Sequence, residues 1–527
     1  MIRPRDSRRL AGFAALAATA LALSACSGGG NNGGNNNGGN GGGEADTSRL
    51  IIGLESDQAA LGYDPIRYAS GQRFFYEGIY DSLFRLDEEG QVVPDLVTNF
   101  EYNEDQTELT LDLDTSATFP DGSTVTADLV KQNLDFRGDA DLSAYSGFAE
   151  GGEQEISDVT VVDDDTVTLT FAAPSPGFEA NLVLPAGAIV GPSAVEDRSS
   201  LDQAPDGSGP LTLDAGATVK GNTYLLTKKD DHPEAGEYPF DSYEFRPIID
   251  PQARVNAAIS GEVDVAYITA EQQTQVESAG TGLVANGGTV LNLLPFDKAG
   301  ALAPQWGDPQ VWKALSIAID REAFVAAVHP GDVPTVNALP ADSPGYIEEL
   351  EEEYAYDPEE ARELLAEAGY PDGFDFEVVI GQQSQRDWET IQPFWQEIGV
   401  DATLKMSSST EETFASVQNT PIGGPIPLNW TNPPGNVFGV LFGFANFHKA
   451  ENPEIQAAVG AYGAAAGDED AQAEALTQLN RAIVESGWLI PLYEQLAPWA
   501  YNESKVAEPQ FPGAETYPIL STLTPAS

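Results

Sequence analysis

Among the side chains able to do covalent chemistry, Cys26 stands apart, because it is the single cysteine in 527 residues. It directly follows Leu23-Ser24-Ala25. Ahead of these lie an apolar run from Leu10 to Leu23 and a basic start of Arg3, Arg5, Arg8 and Arg9. A basic start, a short apolar segment and small residues at the cut make a secretory signal. A thiol immediately after the cut is open to acylation, so Leu-Ser-Ala-Cys reads as a bacterial lipoprotein site, with residues 1–25 as its signal peptide. The bland alternative is a soluble secreted protein with a stray cysteine. With Cys26 acylated, no disulfide exists within the chain.

The remaining chemistry-bearing residues do not assemble into a reaction. His232, His329 and His448 are the only histidines, and none stands in a paired metal-ligating spacing. Each is expected on the surface or in a turn, and neither a metal site nor a cofactor is expected. No GxSxG elbow, phosphate-binding loop or Ser-x-x-Lys set occurs. Gly207-Ser-Gly-Pro210 is a poor phosphate cradle because its proline removes a donor. Acids are so frequent that a pair such as Asp163 and Asp165 reads as a solvated turn. A surface hydrolase would need a nucleophile and a base that the sequence does not nominate.

Composition narrows the partners. The chain carries 25 basic and 83 acidic residues, for a net charge of −58. Removing residues 1–25 takes it to −61. Such an excess argues against nucleic acid and against a polybasic grip on anionic lipid. Heavy Asp and Glu with only nine lysines suits a salty habitat, and a high-GC genome gives the same bias. Residues 27–47 are rich in Gly and Asn and read as a disordered tether. A coil of about 20 residues spans roughly 25 Å root-mean-square. No second run is long and apolar enough to span a membrane.

The elements positioning any site alternate between strand and helix. Leu50 to Leu54 reads as a buried strand and Arg73 to Leu83 as a helix. Leu83 to Leu86 reads as a strand, and Val92 to Val97 as a turn into a helix. Leu109 to Leu113 alternates, Thr126 caps a helix to Leu134, and Val159–Val162 with Thr166–Phe171 makes a hairpin. Strand 222–228 follows. Tyr243 to Ile268 has the strand–helix–strand order of an α/β layer. Beyond Pro304 come helices at 309–319, 323–328, 358–368, 388–398 and 471–484, with strands at 376–380, 400–405 and 489–493. The fold class is α/β, as two mixed lobes with a β-rich insertion in the first.

Several segments resemble the extracellular solute-binding proteins, family 5, of bacterial ABC importers, which take up peptides, nickel chelates, opines and some sugars. The similar stretches are Phe75-Tyr-Glu-Gly-Ile-Tyr-Asp-Ser-Leu83, Gly90-Gln-Val-Val-Pro-Asp-Leu-Val97 and Thr118-Phe-Pro-Asp-Gly-Ser-Thr-Val-Thr-Ala-Asp-Leu-Val130. Ser260 to Ala266, Val311 to Arg321 and Tyr356 to Pro371 follow in the family's order, and Ser208-Gly-Pro210 stands where the family usually has Thr-Gly-Pro-Tyr. The resemblance implies a two-lobed periplasmic-binding-protein-like fold of type II, large class. It places lobe I at 48–297 with its β-rich subdomain, lobe II at 298–485, and a return to lobe I with a tail at 486–527.

It also implies a ligand held between the lobes. Peptide-binding members hold the amino terminus with an aspartate after a tryptophan. Here the comparable segment, Asn429-Trp430-Thr-Asn-Pro-Pro-Gly-Asn436, contains no acid. Trp430 is expected to line the cleft, with Asn429 and Asn432 as hydrogen-bonding candidates. Tyr63, Arg67 and Tyr68 follow the first strand, and Arg67 could hold a carboxylate bidentately. Gln383 and Arg386 follow the strand at 376–380, where crevices open. Phe444 and His448 belong to an aromatic cluster past Trp430.

The function expected on this basis is that of a lipid-anchored, monomeric receptor at the outer face of the membrane, passing a small molecule or short peptide to an ABC permease. The alternative is the same scaffold as a sensor or chaperone-like binding protein.

Overall fold

The structure, a computed structural model, describes residues 47–68, 72–88, 90–138, 156–408, 416–430, 433–465, 468–513 and 515–526. The signal segment, Cys26, most of the Asn/Gly tract and Asn432 lie outside these residues. Residues 45–527 form one unit. No helix among the described residues is long and apolar enough to cross a membrane.

Seventeen strands are described. In the first part of the chain they are β1 (Leu50–Leu54), β2 (Phe84–Leu86), β3 (Val92–Pro94), β4 (Val97–Tyr102), β5 (Glu108–Leu113), β6 (Ile156–Val161) and β7 (Thr166–Phe171). Next come β8 (Leu211–Leu213), β9 (Tyr224–Lys228), β10 (Ser242–Pro247), β11 (Val265–Tyr267), β12 (Gly282–Pro295) and β13 (Val333–Pro334). The last are β14 (Phe374–Ile380), β15 (Val400–Met406), β16 (Ile422–Asn429) and β17 (Ile490–Tyr501). A nine-stranded sheet runs β16-β12-β17-β11-β1-β10-β9-β8, with β13 added to β17. Its centre, β10-β1-β11, is parallel. The predicted strand–helix–strand of 243–268 is present, but β1 lies between β10 and β11, so the crossover through the helix Pro251–Ser260 skips a strand.

Distinct cores define the two lobes. One is built from residues between Leu50 and Phe245 together with Trp499, Tyr501, Leu520 and Leu523. The other is built from residues 291 to 493 and contains Trp306, Trp312, Trp388 and Trp395. β12 and β17 pair antiparallel and belong to both: Leu291 and Tyr493 pack in the second core, while Trp499 and Tyr501 pack in the first. Their ladder is interrupted between Asn286 and Thr289 and again between Leu291 and Asn292.

The β-rich insertion is a four-stranded sheet, β4-β5-β7-β6, with its own core around Leu109, Leu111, Val167 and Leu169. The helix Ala127–Asp135 packs there, and Thr126 caps it by accepting from Leu129 N at 3.2 Å. Such a cap contributes about 1 kcal/mol.

Two expectations are corrected. The helix expected over 73–83 stops at Tyr76. Beyond it, the carbonyls of Gly78 and Ile79 accept from Leu211 N and Gly209 N, so they are taken by the 209–211 segment rather than by a further helical turn. A Cβ on Gly78 would stand 2.4 Å from Leu211 Cδ1, so the close approach requires glycine. The segment 92–97 leads into strands β3 and β4, not into a helix.

Candidate functional site

Two sets of parallel strand ends are candidates for the walls of a cleft, because crevices in open α/β sheets form outside the carboxyl ends of strands. In the first lobe these are the ends of β10, β1 and β11, followed by Ile248, Glu55 and Ile268. In the second they are the ends of β14 and β15, followed by Gly381 and Ser407.

A chain of contacts joins the two. Arg386 Nη2, at the start of the helix Gln385–Glu397, donates to Ala327 O at 2.5 Å. Asp387 Oδ1 is 2.6 Å from His329 Nε2. The His329 ring stacks on Tyr493 of β17 at 4.2 Å. Two residues on, Gly331 meets Ala270 of the first lobe, and Gln273 Nε2 donates to Gly331 O at 3.5 Å. Asp332 accepts from Leu496 N of β17 at 2.9 Å, and burial raises its carboxyl to about 6.

On the first-lobe side, Glu55 Oε1 accepts from Tyr517 at 2.5 Å, while Oε2 is buried without a hydrogen bond. Tyr517 stacks on Tyr267 at 5.9 Å, and Trp499 meets both edge-on. Arg254 Nε donates to Tyr267 O at 2.6 Å, and burial lowers its guanidinium. Glu55, Tyr267 and Tyr517 were not singled out from sequence. The strand-end rule that nominated Gln383 applies equally to Glu55, directly after β1.

Of the residues nominated after the first strand, Tyr63 is fully buried, its hydroxyl unpaired, and burial pushes it to about 12. Tyr68 is also buried, donating to Gly62 O and accepting from Leu61 N. Arg67 does not stand open for a carboxylate ligand, since it binds Asp202 at 3.1 Å, Leu61 O at 3.0 Å and lies 3.9 Å from Asp64. Gln383 is exposed at the end of β14, and Arg386 is exposed beside the 327–332 segment. His329 departs from the expected surface or turn role through its contacts with Asp387 and Tyr493, whereas His232 sits in a turn and accepts from Glu234 N.

The segment past β16 has a different character. Asn429 O accepts from Asn436 Nδ2. The chain then makes one π-helical stretch, Asn436–Phe444, a form frequently found at functional sites. Phe444 packs on Phe296 and Phe447. The indoles of Trp312, Trp388, Trp395 and Trp499 each donate to a backbone carbonyl. Trp430 Nε1 and His448 Nε2 are buried with no partner among the described residues. Buried polar atoms are nearly always paired, so each of these calls for an explanation. Among the described residues, no group of three His, Cys, Asp or Glu side chains is placed to hold a metal.

Residues 91–477 match the family described as bacterial extracellular solute-binding proteins, family 5. The chain belongs to this family. Family 5 proteins are non-enzymatic, so the hydrolase reading falls away. The family 5 chain is similar to the glutathione-binding protein GsiB of Salmonella typhimurium, with 29% identity over 304 residues, 56% of this chain and 57% of GsiB. It thus spans little more than half the length of the curated relatives it matches. Its fold is similar to that of AgaA from A. tumefaciens R10 in complex with agropinic acid (TM-score 0.68, 22% identity, 91% of this chain and 98% of that one). HbpA2 from Haemophilus parasuis is similar too (TM-score 0.75, 21% identity, 91% and 100% covered). These likenesses give the family 5 chain the α/β periplasmic-binding-protein fold.

Proposed function

We propose that this protein is an extracytoplasmic receptor that encloses a small polar solute between its lobes and hands it to an ABC permease, held at the membrane by a lipid on Cys26. The observation that carries this reading is the pairing of two sets of parallel strand ends across a ribbon, β12–β17, that belongs to both cores. Hinge closure around a ligand is the motion such an arrangement supports. A peptide-like or opine-like solute is the cargo class favoured. GsiB is named for glutathione and AgaA was solved with agropinic acid, both compact, carboxylate-bearing molecules. The absence of any acid from Asn429 to Asn436 disfavours a cargo anchored there by a free ammonium. Trp430, His448, Asn429, Asn432 and Phe444 are the proposed second-lobe contacts, joined by Gln383 and Arg386. Glu55 and Tyr517 are proposed on the first lobe.

The test is native mass spectrometry of the protein purified from its own host, followed by denaturation to release bound compounds. A stoichiometric peptide- or opine-like molecule is expected. A protein that arrives empty and shows no thermal shift with glutathione, opines or short peptides would count against this reading.

A further inference from the structure

The ribbon that joins the lobes has one weak level. Asn286 pairs with Ala497 and Thr289 with Gln495, so Gly287 and Gly288 of β12 face Leu496 of β17 alone. Two residues against one make a β-bulge, which bends its strand and takes backbone groups out of the ladder. The sheet is also narrowest there. β16 pairs with β12 only from Thr289 onward, β13 meets β17 at Tyr493 and Glu494, and β11 meets it at Trp499 to Tyr501. Between those levels, among the described strands, β12 and β17 have only each other.

Side chains take over from the ladder at this level. Glu494 is 4% exposed. Its Oε1 accepts from Gly288 N at 2.9 Å and its Oε2 from Ala341 N at 3.0 Å. Ala341 follows Ala338 and Leu339 of the second core, so Gly288 is tied to the second lobe. On the other side of the bulge, Asn286 Nδ2 donates to Gly513 O at 2.9 Å and to Glu515 O at 2.7 Å. Glu515 in turn lies 3.5 Å from Arg73 of the first lobe. Positions 286 and 288 are thus anchored to different lobes, and Gly287 is the residue between them. A Cβ on Gly287 would collide with Glu494 Oε1, so the carboxylate can reach Gly288 N only past a glycine. Glycine also offers the backbone its widest φ/ψ range.

We infer that Gly287 is the pivot on which the lobes turn, and that Glu494 and Asn286 are positioning residues that confine the bend to it. A hinge absorbs closure in a few residues of this kind. The inference rests on the hinge motion proposed above and not on the identity of the cargo. In Glu494→Gln one of the two acceptor oxygens becomes an amide that points donor against donor. The bulge then loses an anchor, and the lobes sample a wider range of separations.

Pulsed electron–electron double resonance on the cargo-free full chain tests this. Spin labels go on Thr212→Cys of β8 in the first lobe and Glu363→Cys of the helix Pro358–Glu367 in the second, both exposed positions, with Cys26→Ser as background. Glu494→Gln is expected to widen the distance distribution at least twofold. Asp297→Asn is the control. Asp297 is fully buried and accepts from Ala301, Leu302 and Ala303 N within the second lobe, so its loss should lower the melting temperature and leave the distribution unchanged. Should Glu494→Gln fail to fold, Asn286→Ala frees the first-lobe side and reads the same pivot. An unchanged distribution in the folded variants, or equal widening in Asp297→Asn, would overturn the inference. Because no cargo is present, these outcomes are distinct from a failure of every tested solute to bind, which would count against the receptor reading instead.

Discussion

Gly331 and Ala270 meet backbone to backbone between the lobes. A Cβ built on Gly331 would stand 2.5 Å from the Ala270 carbonyl oxygen, and Gly331 holds φ +103°. Gly331→Ala is therefore expected to push the lobes apart and raise the radius of gyration measured by small-angle X-ray scattering. Gly369 supplies the control, with φ +94° and nothing within 4 Å of the position a Cβ would take. Gly369→Ala carries similar backbone strain, about 1–3 kcal/mol, without a collision, and should lower the melting temperature while leaving the radius unchanged. Equal radii for both variants would show that the contact does not set the lobe arrangement.

Asp64 and Arg198 form a buried bidentate pair, with Nε–Oδ2 at 2.7 Å and Nη2–Oδ1 at 2.9 Å. The guanidinium also lies 4.4 Å above the Phe136 ring. Removing one partner leaves the other charge buried, so Arg198→Met is expected to cost about 3 kcal/mol in urea unfolding. Arg67→Gln, which touches the same carboxylate from 3.9 Å and is partly exposed, should cost under about 1 kcal/mol. It should leave cargo binding intact if Arg67 serves the scaffold.

Stability should fall as the solution is made more alkaline. Burial raises Glu77 to about 7, opposed by Arg73, and burial with the Asp81 charge raises Asp95 to about 7. Between about pH 4 and pH 7 the folded chain holds protons that the unfolded chain has released, so stability drops across that window. The loss is on the order of 3–4 kcal/mol for each group once both are ionised. His232, held below its usual range by burial, acts in the opposite sense at acid pH. Melting temperatures at pH 5.5 and 8 should differ in favour of the lower pH, and Glu77→Gln with Asp95→Asn should narrow the gap. An unchanged gap in the double variant would refute this origin.

Trp430→Phe separates a binding role from a packing role. The substitution removes a buried N–H that has no acceptor among the described residues, so the unliganded protein should melt at the same temperature or slightly higher. If the indole donates to cargo, affinity for the compound identified by mass spectrometry should fall about tenfold. A lower melting temperature with unaltered affinity would assign Trp430 to the core alone.

Much of the scaffold is legible in the sequence where local signals agree with their surroundings. Leu50–Leu54 is a run of apolar residues buried in the middle of a sheet, and Thr126 announces a helix start that the structure keeps. β12 and β16 escape such reading. β12 contains Gly282, Asn286, Gly287 and Gly288, and β16 contains Pro425 and Pro427, which its edge position in the sheet tolerates. The site is less legible than the fold for a related reason. Tyr63, Arg67 and Tyr68 have types suited to ligand contact, yet both tyrosines are buried and Arg67 is engaged by Asp202, which lies far along the chain. Glu55, by contrast, sits where the topology directs attention, in a chain so acidic that one more carboxylate carries no signal.

The first lobe's core is completed by Trp499, Leu520 and Leu523, and Leu520 N donates to Glu77 Oε1 at 2.9 Å across 443 residues of sequence. During vectorial synthesis or export, the amino-terminal half therefore has no finished interior against which to close until residues 499–523 arrive. The β-rich insertion, whose core lies within residues 83–189, has all its partners much earlier. The order in which the chain is made therefore separates the two: the insertion can close on itself while the rest of the first lobe still waits for the residues that seal its core.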